Sequence, residues 1–225
     1  MDSLFRHTRT PHRIVLADNN SSDPLVTRVI EGFERRGLFT AVHRCPDNDP
    51  RRFERLIEQY WDQIADYLVL VESDIEVLPC EPCWLAKFVS YMDADQRLGC
   101  VGSRVYQPDF VDEAEAHALM PKLDQPSLDF LIKKNAPMRQ YKSTSQPLIA
   151  PHNPPLRLLM VRKQVYEQIG FGRDTVMHKR TLALGYKSMI STEVVHRHLS
   201  LLNIYDYWEY SRTERDSFFN DQSEV

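Results

Sequence analysis

The chain has 225 residues, is 42% hydrophobic and 27% charged, and carries a net charge of −4 with an isoelectric point near 6.1. This is the make-up of one ordinary globular domain with enough chain to bury a real core. It excludes a general nucleic-acid binder and, with no window of roughly 18 apolar residues, a membrane-spanning helix. The N-terminus lacks the apolar core of a signal peptide, so the expected location is cytoplasmic.

Residues 1–12 read as the end of a short helix and a turn at Pro11. Arg13 to Ala17 is a short apolar strand, closed by the turn formers Asp18-Asn-Asn-Ser-Ser-Asp23-Pro24. Leu25, Val29, Ile30 and Phe33 then share one face of a helix that Gly37 stops, with Asp23 as its cap. Phe39 to Cys45 is a second strand, and Phe53 to Ile64 a second amphipathic helix. Asp47 and Asp49 lie in the loop between them. Tyr67 to Val71 is a third strand, apolar throughout, which indicates burial on both faces. This alternation of strand and helix signals a parallel sheet with helices on its faces.

The third strand turns acidic at its end: Glu72-Ser-Asp74, with Glu76 beyond. Ligands of open α/β sheets sit past the carboxyl ends of strands. Two carboxylates two residues apart suit a hard divalent cation. They equally suit a solvated strand end paired with a nearby Lys or Arg.

Trp84 to Met92 reads as a helix and Cys100 to Val105 as a strand. Residues 107–155 break the pattern, with one helix expected from Leu128 to Lys134, and read as a loop or lid. Leu156 to Arg162 is a strand, Gln164 to Ile169 a helix closed by Gly170, Met177 to Leu184 a helix ended by Gly185, and Tyr186 to Val195 a final strand running into His196-Arg-His198. An aromatic segment and a polar tail, 213–225, follow. The cysteines are Cys45, Cys80, Cys83 and Cys100. Cys80-Glu-Pro-Cys83 has metal-ligand or redox spacing, but zinc would need Cys45, Cys100 or a distant His as well. Reduced, partly buried thiols are the expectation.

Four blocks, in order, resemble the family 2 glycosyltransferases. They are Arg13 to Asp23, Leu70-Val-Glu72-Ser-Asp74, Leu158 to Phe171, and Asp174 with Arg180, Gly185-Tyr186 and His196 behind it. In the last block, Arg180 stands six positions after Asp174 and Gly185 eleven, the family's spacing. The resemblance covers roughly residues 2–106 and 154–212. It implies a single GT-A-like α/β domain with a mostly parallel sheet and flanking helices. Residues 1–106 would be the nucleotide-binding half, and 156–212 the acceptor half. The family's first strand has no counterpart here.

The resemblance implies a metal-dependent inverting transferase moving one sugar from a nucleotide-diphosphate sugar to a hydroxyl of a sugar, lipid-linked or protein acceptor. Mn²⁺ or Mg²⁺ would be held by Asp74, Glu72 and His196, with His198 competing for the same role. Asp174 would be the general base, and Asp18 and Arg180 would meet the nucleotide. Each residue has a plainer reading: Asp174 as a helix cap, Asp18 as an Asx-turn residue, Arg180 as a helix ion-pair partner, His196 as a surface histidine. Glu72 replaces the family's first Asp, and Arg173 the Glu before Asp174. The Gln-x-x-Arg-Trp motif of processive synthases is absent, which points to single-sugar transfer. The rival expectations are a degenerate GT-A domain that only binds, and a nucleotidyltransferase.

Overall fold

The structure, a computed structural model, describes residues 1–47, 49, 51–106, 114, 118, 121, 124–126, 145–150, 154 and 156–198. The Leu128–Lys134 helix, most of the 107–155 loop, the aromatic segment and the polar tail lie outside the described residues.

The N-terminal half forms as the periodicity predicts. Helix α1 (Asp2–His7) leads to β1 (Val15–Asp18), α2 (Pro24–Arg35), β2 (Ala41–Arg44) and α3 (Arg52–Gln59). A 3₁₀ turn (Trp61–Gln63) then precedes β3 (Tyr67–Val71). Asp23 caps α2, its Oδ1 accepting from the Leu25 N–H at 2.8 Å, with Pro24 in the first turn. Gly37, just past the C-cap, adopts φ 72°, a conformation that costs glycine nothing.

Strand β4 (Ile75–Val77), unforeseen in the sequence, follows a three-residue link. Helix α4 (Trp84–Ala94), β5 (Leu98–Val105), β6 (Leu148–Ile149), β7 (Leu158–Arg162), α5 (Lys163–Ile169), α6 (Asp174–Ala183) and β8 (Lys187–His198) complete the described elements.

Strands β1 and β2 form a parallel pair of their own. The larger sheet has the order β3-β7-β5-β8-β4, with β6 also on β8. In it β5 and β8 run parallel, while β7 lies antiparallel to both β3 and β5, so β3, β5 and β8 share one direction. Strands β4 and β6 oppose β8. The result is a mixed α/β domain. The expected three-strand continuity of β1, β2 and β3 is not seen: among the described residues β1 pairs only with β2, and β3 only with β7. Burial follows pairing. All five residues of β7, paired on both edges, are buried; of β3, paired on one, only Leu70 is.

Two cores lie on the two faces. One packs α4, through Trp84, Leu85, Phe88 and Met92, against Val77, Val101, Leu158, Met160 and Val194. The other packs α3, α5 and α6, through Ile57, Val165, Tyr166, Ile169 and Met177, against Leu70, Cys100, Leu159 and Val161. Arg162 is buried with its guanidinium on the carbonyls of Met92 (2.6 Å) and Leu98 (3.3 Å), so a charge is taken from water only where carbonyls meet it.

A sharp bend shapes one end of the sheet. In the order given, β3 and β4 stand four strand intervals apart, roughly 19 Å if the sheet were flat. The chain from Val71 to Ile75 reaches at most about 14 Å. The sheet therefore curls enough to bring the end of β3 and the start of β4 within that reach. The register shows where: Ser103 pairs with Ser191, but Arg104 pairs with Val195, leaving Thr192 to Val194 as a bulge. Ser191 Oγ accepts from the N–H groups of Glu193 (3.2 Å) and Val194 (3.1 Å). The Glu193 carboxylate ties the bulge to α4 through the Tyr91 hydroxyl and Lys87 Nζ, the latter at 3.1 Å.

These bonds from Tyr91 and Lys87 hold the Glu193 carboxyl below its usual range. Its folded pKa is depressed, so its stabilisation is full above the unfolded value of about 4.5 and is lost as pH falls through the lowered one. Glu193→Gln should destabilise the protein at pH 7 by less than about 1 kcal/mol, since the carboxylate is half exposed and screened. In denaturant titrations across pH 7 to 3 the gap to wild type should close as the pH drops.

Gly99 is fixed by close approach: an added Cβ would lie 2.9 Å from Thr181 Cγ2 and 2.9 Å from Tyr186 Cβ. Gly99→Ala should cost about 1–3 kcal/mol in chemical denaturation. A cost near zero would mean that α6 can retreat from β5.

Candidate functional site

The bend brings three side chains together. Glu72 follows β3, Asp74 precedes β4, and His198 is the last residue of β8. Ile75 pairs with His198, which sets Asp74 beside the imidazole: His198 Nε2 is 2.9 Å from Asp74 Oδ2. One ligand atom from each of Glu72, Asp74 and His198 lies within 4.8 Å of the others. Glu72 is exposed, Asp74 half-buried and His198 buried.

The antiparallel start of β7 meets the end of β3, so the Glu72 N–H donates to the Arg157 carbonyl at 3.0 Å, and Arg157 Nε lies 3.8 Å from Glu72 Oε2. Arg197 and Glu76, 3.6 Å apart, pair on the rim across the same β4–β8 ladder. Among the described residues this is the one group of His, Cys, Asp and Glu spaced to hold a metal ion. Two carboxylates and an imidazole are a donor set that could hold a divalent cation. Ligands about 2.1 Å from an ion stand up to about 4.2 Å apart across it, so the trio needs only a small closure.

The imidazole beside Asp74 is His198, the histidine expected to compete with His196 for the ligand role. His196 is fully buried one layer beneath, sharing a 2.6 Å hydrogen bond between its Nδ1 and Ser103 Oγ. Residues two apart on a strand face the same way, so periodicity alone could not separate the two histidines. Their partners do: His198 reaches Asp74 and His196 reaches Ser103. Burial pushes the His196 pKa down to about 3, helped by the charges of Arg157 and His198, so this ring is neutral. Among the described residues its Nε2 finds no hydrogen-bond partner.

The other sequence candidates are placed elsewhere. Asp18 ends β1, and its Oδ1 accepts from the Ser21 N–H at 3.1 Å, the Asx-type turn of its plainer reading. Asp174 is the first residue of α6 rather than its cap, which is Arg173; its Oδ1 accepts from the Thr175 N–H at 2.8 Å. It is not among the groups that converge with Asp74. Arg180 Nη1 donates to the Ile169 carbonyl at 2.6 Å, pinning the end of α5 beneath the Gly170–Gly172 turn. Phe171 in that turn packs against Phe53, with ring centroids 5.4 Å apart and the planes tilted by 49°. Phe53 also lines a cavity of about 160 Å³ with Ala17, Asn19, Asp49 and Arg52. The loop leading to Asp174 therefore borders the end of β1. That cavity is smaller than the ~300–1,000 Å³ that encloses a whole small ligand. A larger, open hollow of about 470 Å³, lined by Asp66, Tyr67, Arg162 and Lys163, sits at the opposite end of β3.

Arg157 escaped the sequence reading. Its signal was a cation just before a buried strand, informative only once that strand is known to run antiparallel to β3.

No model of a protein family matches this chain, and no curated protein sequence matches it. Solved structures do. The crystal structure of GalNAc-T7 with UDP, GalNAc and Mn²⁺ superposes on 87% of this chain with a TM-score of 0.59 at 14% identity. The fold is GT-A-like. This chain spans 39% of the length of that GalNAc-T7 chain. A mycobacterial protein covers 83% of this chain and 56% of its own length at 15% identity, with a TM-score of 0.44. Among the described residues no helix is long and apolar enough to cross a membrane.

Asp74→Asn and His198→Ala should each weaken Mn²⁺ binding at least about ten-fold, because even outer-shell changes at metal sites cost about 10–100-fold. His196→Gln should cost less. Titration of free Mn²⁺ by electron paramagnetic resonance measures this directly; unchanged binding in both Asp74→Asn and His198→Ala would remove the trio as a metal site.

Proposed function

We propose that this chain is a metal-dependent glycosyltransferase that moves one sugar from a nucleotide-diphosphate sugar to an acceptor hydroxyl. The observation that carries the reading is the convergence of Glu72, Asp74 and His198 where the β3–β4 link meets the end of β8 in a GT-A-like sheet. The GalNAc-T7 structure, of similar fold, holds UDP and Mn²⁺, which supports the same ligand class here.

A cation bound by Asp74, Glu72 and His198 would neutralise the leaving diphosphate as a Lewis acid. The chain's own residues do the rest. His198, donating to Asp74 in the absence of metal, orients that carboxylate toward the rim. Arg157 holds Glu72 in place and adds positive charge where a diphosphate would arrive. Asp18 and the small cavity beside Ala17 and Asn19 form the place for the base of the nucleotide. Asp174, at the end of the loop that Arg180 and Phe171 hold against Phe53, is the candidate general base. A one-step displacement with the base opposite the leaving group inverts the anomeric centre. A positioned base contributes about 10²–10⁴-fold.

The test is a donor screen with UDP- and GDP-sugars, with and without Mn²⁺, reading binding by calorimetry and turnover by nucleoside-diphosphate release. Asp174→Asn should keep binding and lose about 10²–10⁴-fold in turnover, with NMR showing the inverted anomer in the wild-type product. Metal-dependent binding without turnover would make the chain a binding module. Pyrophosphate release from a nucleoside triphosphate and a sugar phosphate would make it a nucleotidyltransferase. No binding of any sugar nucleotide would end the transferase reading.

A further inference from the structure

The Cys80-Glu-Pro-Cys83 segment stands apart from the candidate site and independent of the reading given to it. It links β4 to α4, and all four cysteines are free. Cys80 is partly exposed and Cys83 buried at the N-cap of α4. Both sit on the same core cluster.

Three contacts clasp the N-terminal segment onto this loop. Thr10 Oγ1 lies 3.3 Å from Cys83 Sγ, the Trp84 indole N–H donates to Thr8 Oγ1 at 2.9 Å, and Arg9 pairs with Glu81 at 3.2 Å. A hydroxyl and a helix N-terminus therefore both address one sulfur, and that sulfur has a second thiol three residues away. The charged side chains that act on Cys80 are Lys87, Glu81 and Glu193.

We propose that Cys80 and Cys83 are a reversible dithiol–disulfide pair, oxidised by exchange with low-molecular-weight disulfides, in which Cys80 is the entry thiol and Cys83 the resolving one. The two sulfurs divide these roles by exposure and by charge. Burial raises both thiols. At Cys83 the Thr10 hydroxyl and the backbone N–H groups of Arg9, Ala86 and Thr10 outweigh it, leaving that thiol at about 7, whereas Cys80 stays above its ordinary value. Cys83 therefore carries thiolate at neutral pH in a place that reagents reach poorly, and Cys80 is the one they meet.

The exchange balances in two steps. The Cys80 thiolate attacks one sulfur of the reagent disulfide and expels the other as a thiolate, giving a mixed disulfide on Cys80. The Cys83 thiolate attacks the Cys80 sulfur, closes the Cys80–Cys83 bond and expels the second thiolate. The protein loses two thiols, and the reagent gains two. Closure also takes from Thr10 its charged acceptor, which weakens the clasp on residues 8–10, the lead-in to β1.

The full chain is equilibrated with reduced and oxidised glutathione at a series of ratios, quenched in acid, unfolded, alkylated and peptide-mapped by mass spectrometry. The expected result is joint loss of the Cys80 and Cys83 thiols, with Cys45 and Cys100 still alkylated. Cys83→Ser should accumulate a glutathione adduct on Cys80 that the wild type does not. Thr10→Val, which keeps both thiols, should slow closure several-fold and let that adduct appear transiently. Retention of both thiols at every ratio, pairing with Cys45 or Cys100, or a lasting adduct on the wild-type protein would each overturn the proposal.

Discussion

A three-residue link sets the geometry of this protein. Glu72, Ser73 and Asp74 join strands that lie at opposite ends of the larger sheet's order. So short a link can close only if the sheet bends, and the bend needs a place to occur. The bulge at Thr192 to Val194 is that place, held by the Ser191 hydroxyl and by the grip of Tyr91 and Lys87 on Glu193. Everything chemical at the rim depends on it. Without the bulge His198 would not reach Asp74, and the two acids would remain an isolated polar turn.

The same closure explains why acids are tolerated beside a buried histidine. Carboxylates near a core are costly unless something positive meets them. Arg157 meets Glu72, and His198 meets Asp74. These pairs already use the groups that a cation would recruit, so the metal site and the ion-pair reading of the same residues are alternative occupations of one polar cluster. Beneath it, Ser103 and His196 form a neutral second layer, where burial suppresses charge. Both rings are buried, and their partners differ: His198 meets the Asp74 carboxylate, and His196 meets the Ser103 hydroxyl.

On the opposite face of β5, α6 rests against Gly99, and Arg180 fastens it to the end of α5. That arrangement presents Asp174 at the start of α6, just past the turn that Phe171 packs against Phe53. An arginine committed to a backbone carbonyl is a fixed support for that loop.

Local patterning was enough to place most elements, because helix and strand periods and their caps are written in neighbouring residues. The run Tyr67–Val71 became a strand with those bounds, Asp23 capped α2, and Gly37 and Gly170 ended their helices. The resemblance in four blocks pointed to a GT-A-like fold, and Glu72 with Asp74 pointed to a metal. What the sequence could not decide were the facts that depend on which strands meet. Strand β4 is three residues long and exists because β8 pairs with it. His196 and His198 share one face and one local pattern; only their partners across the sheet, Ser103 for one and Asp74 for the other, tell them apart. Arg157 stands at the rim because β7 runs against β3. Composition and period determine what a segment can become. Partners distant in the chain determine which of its polar groups end up facing one another, and the chemistry of this rim follows from those partners.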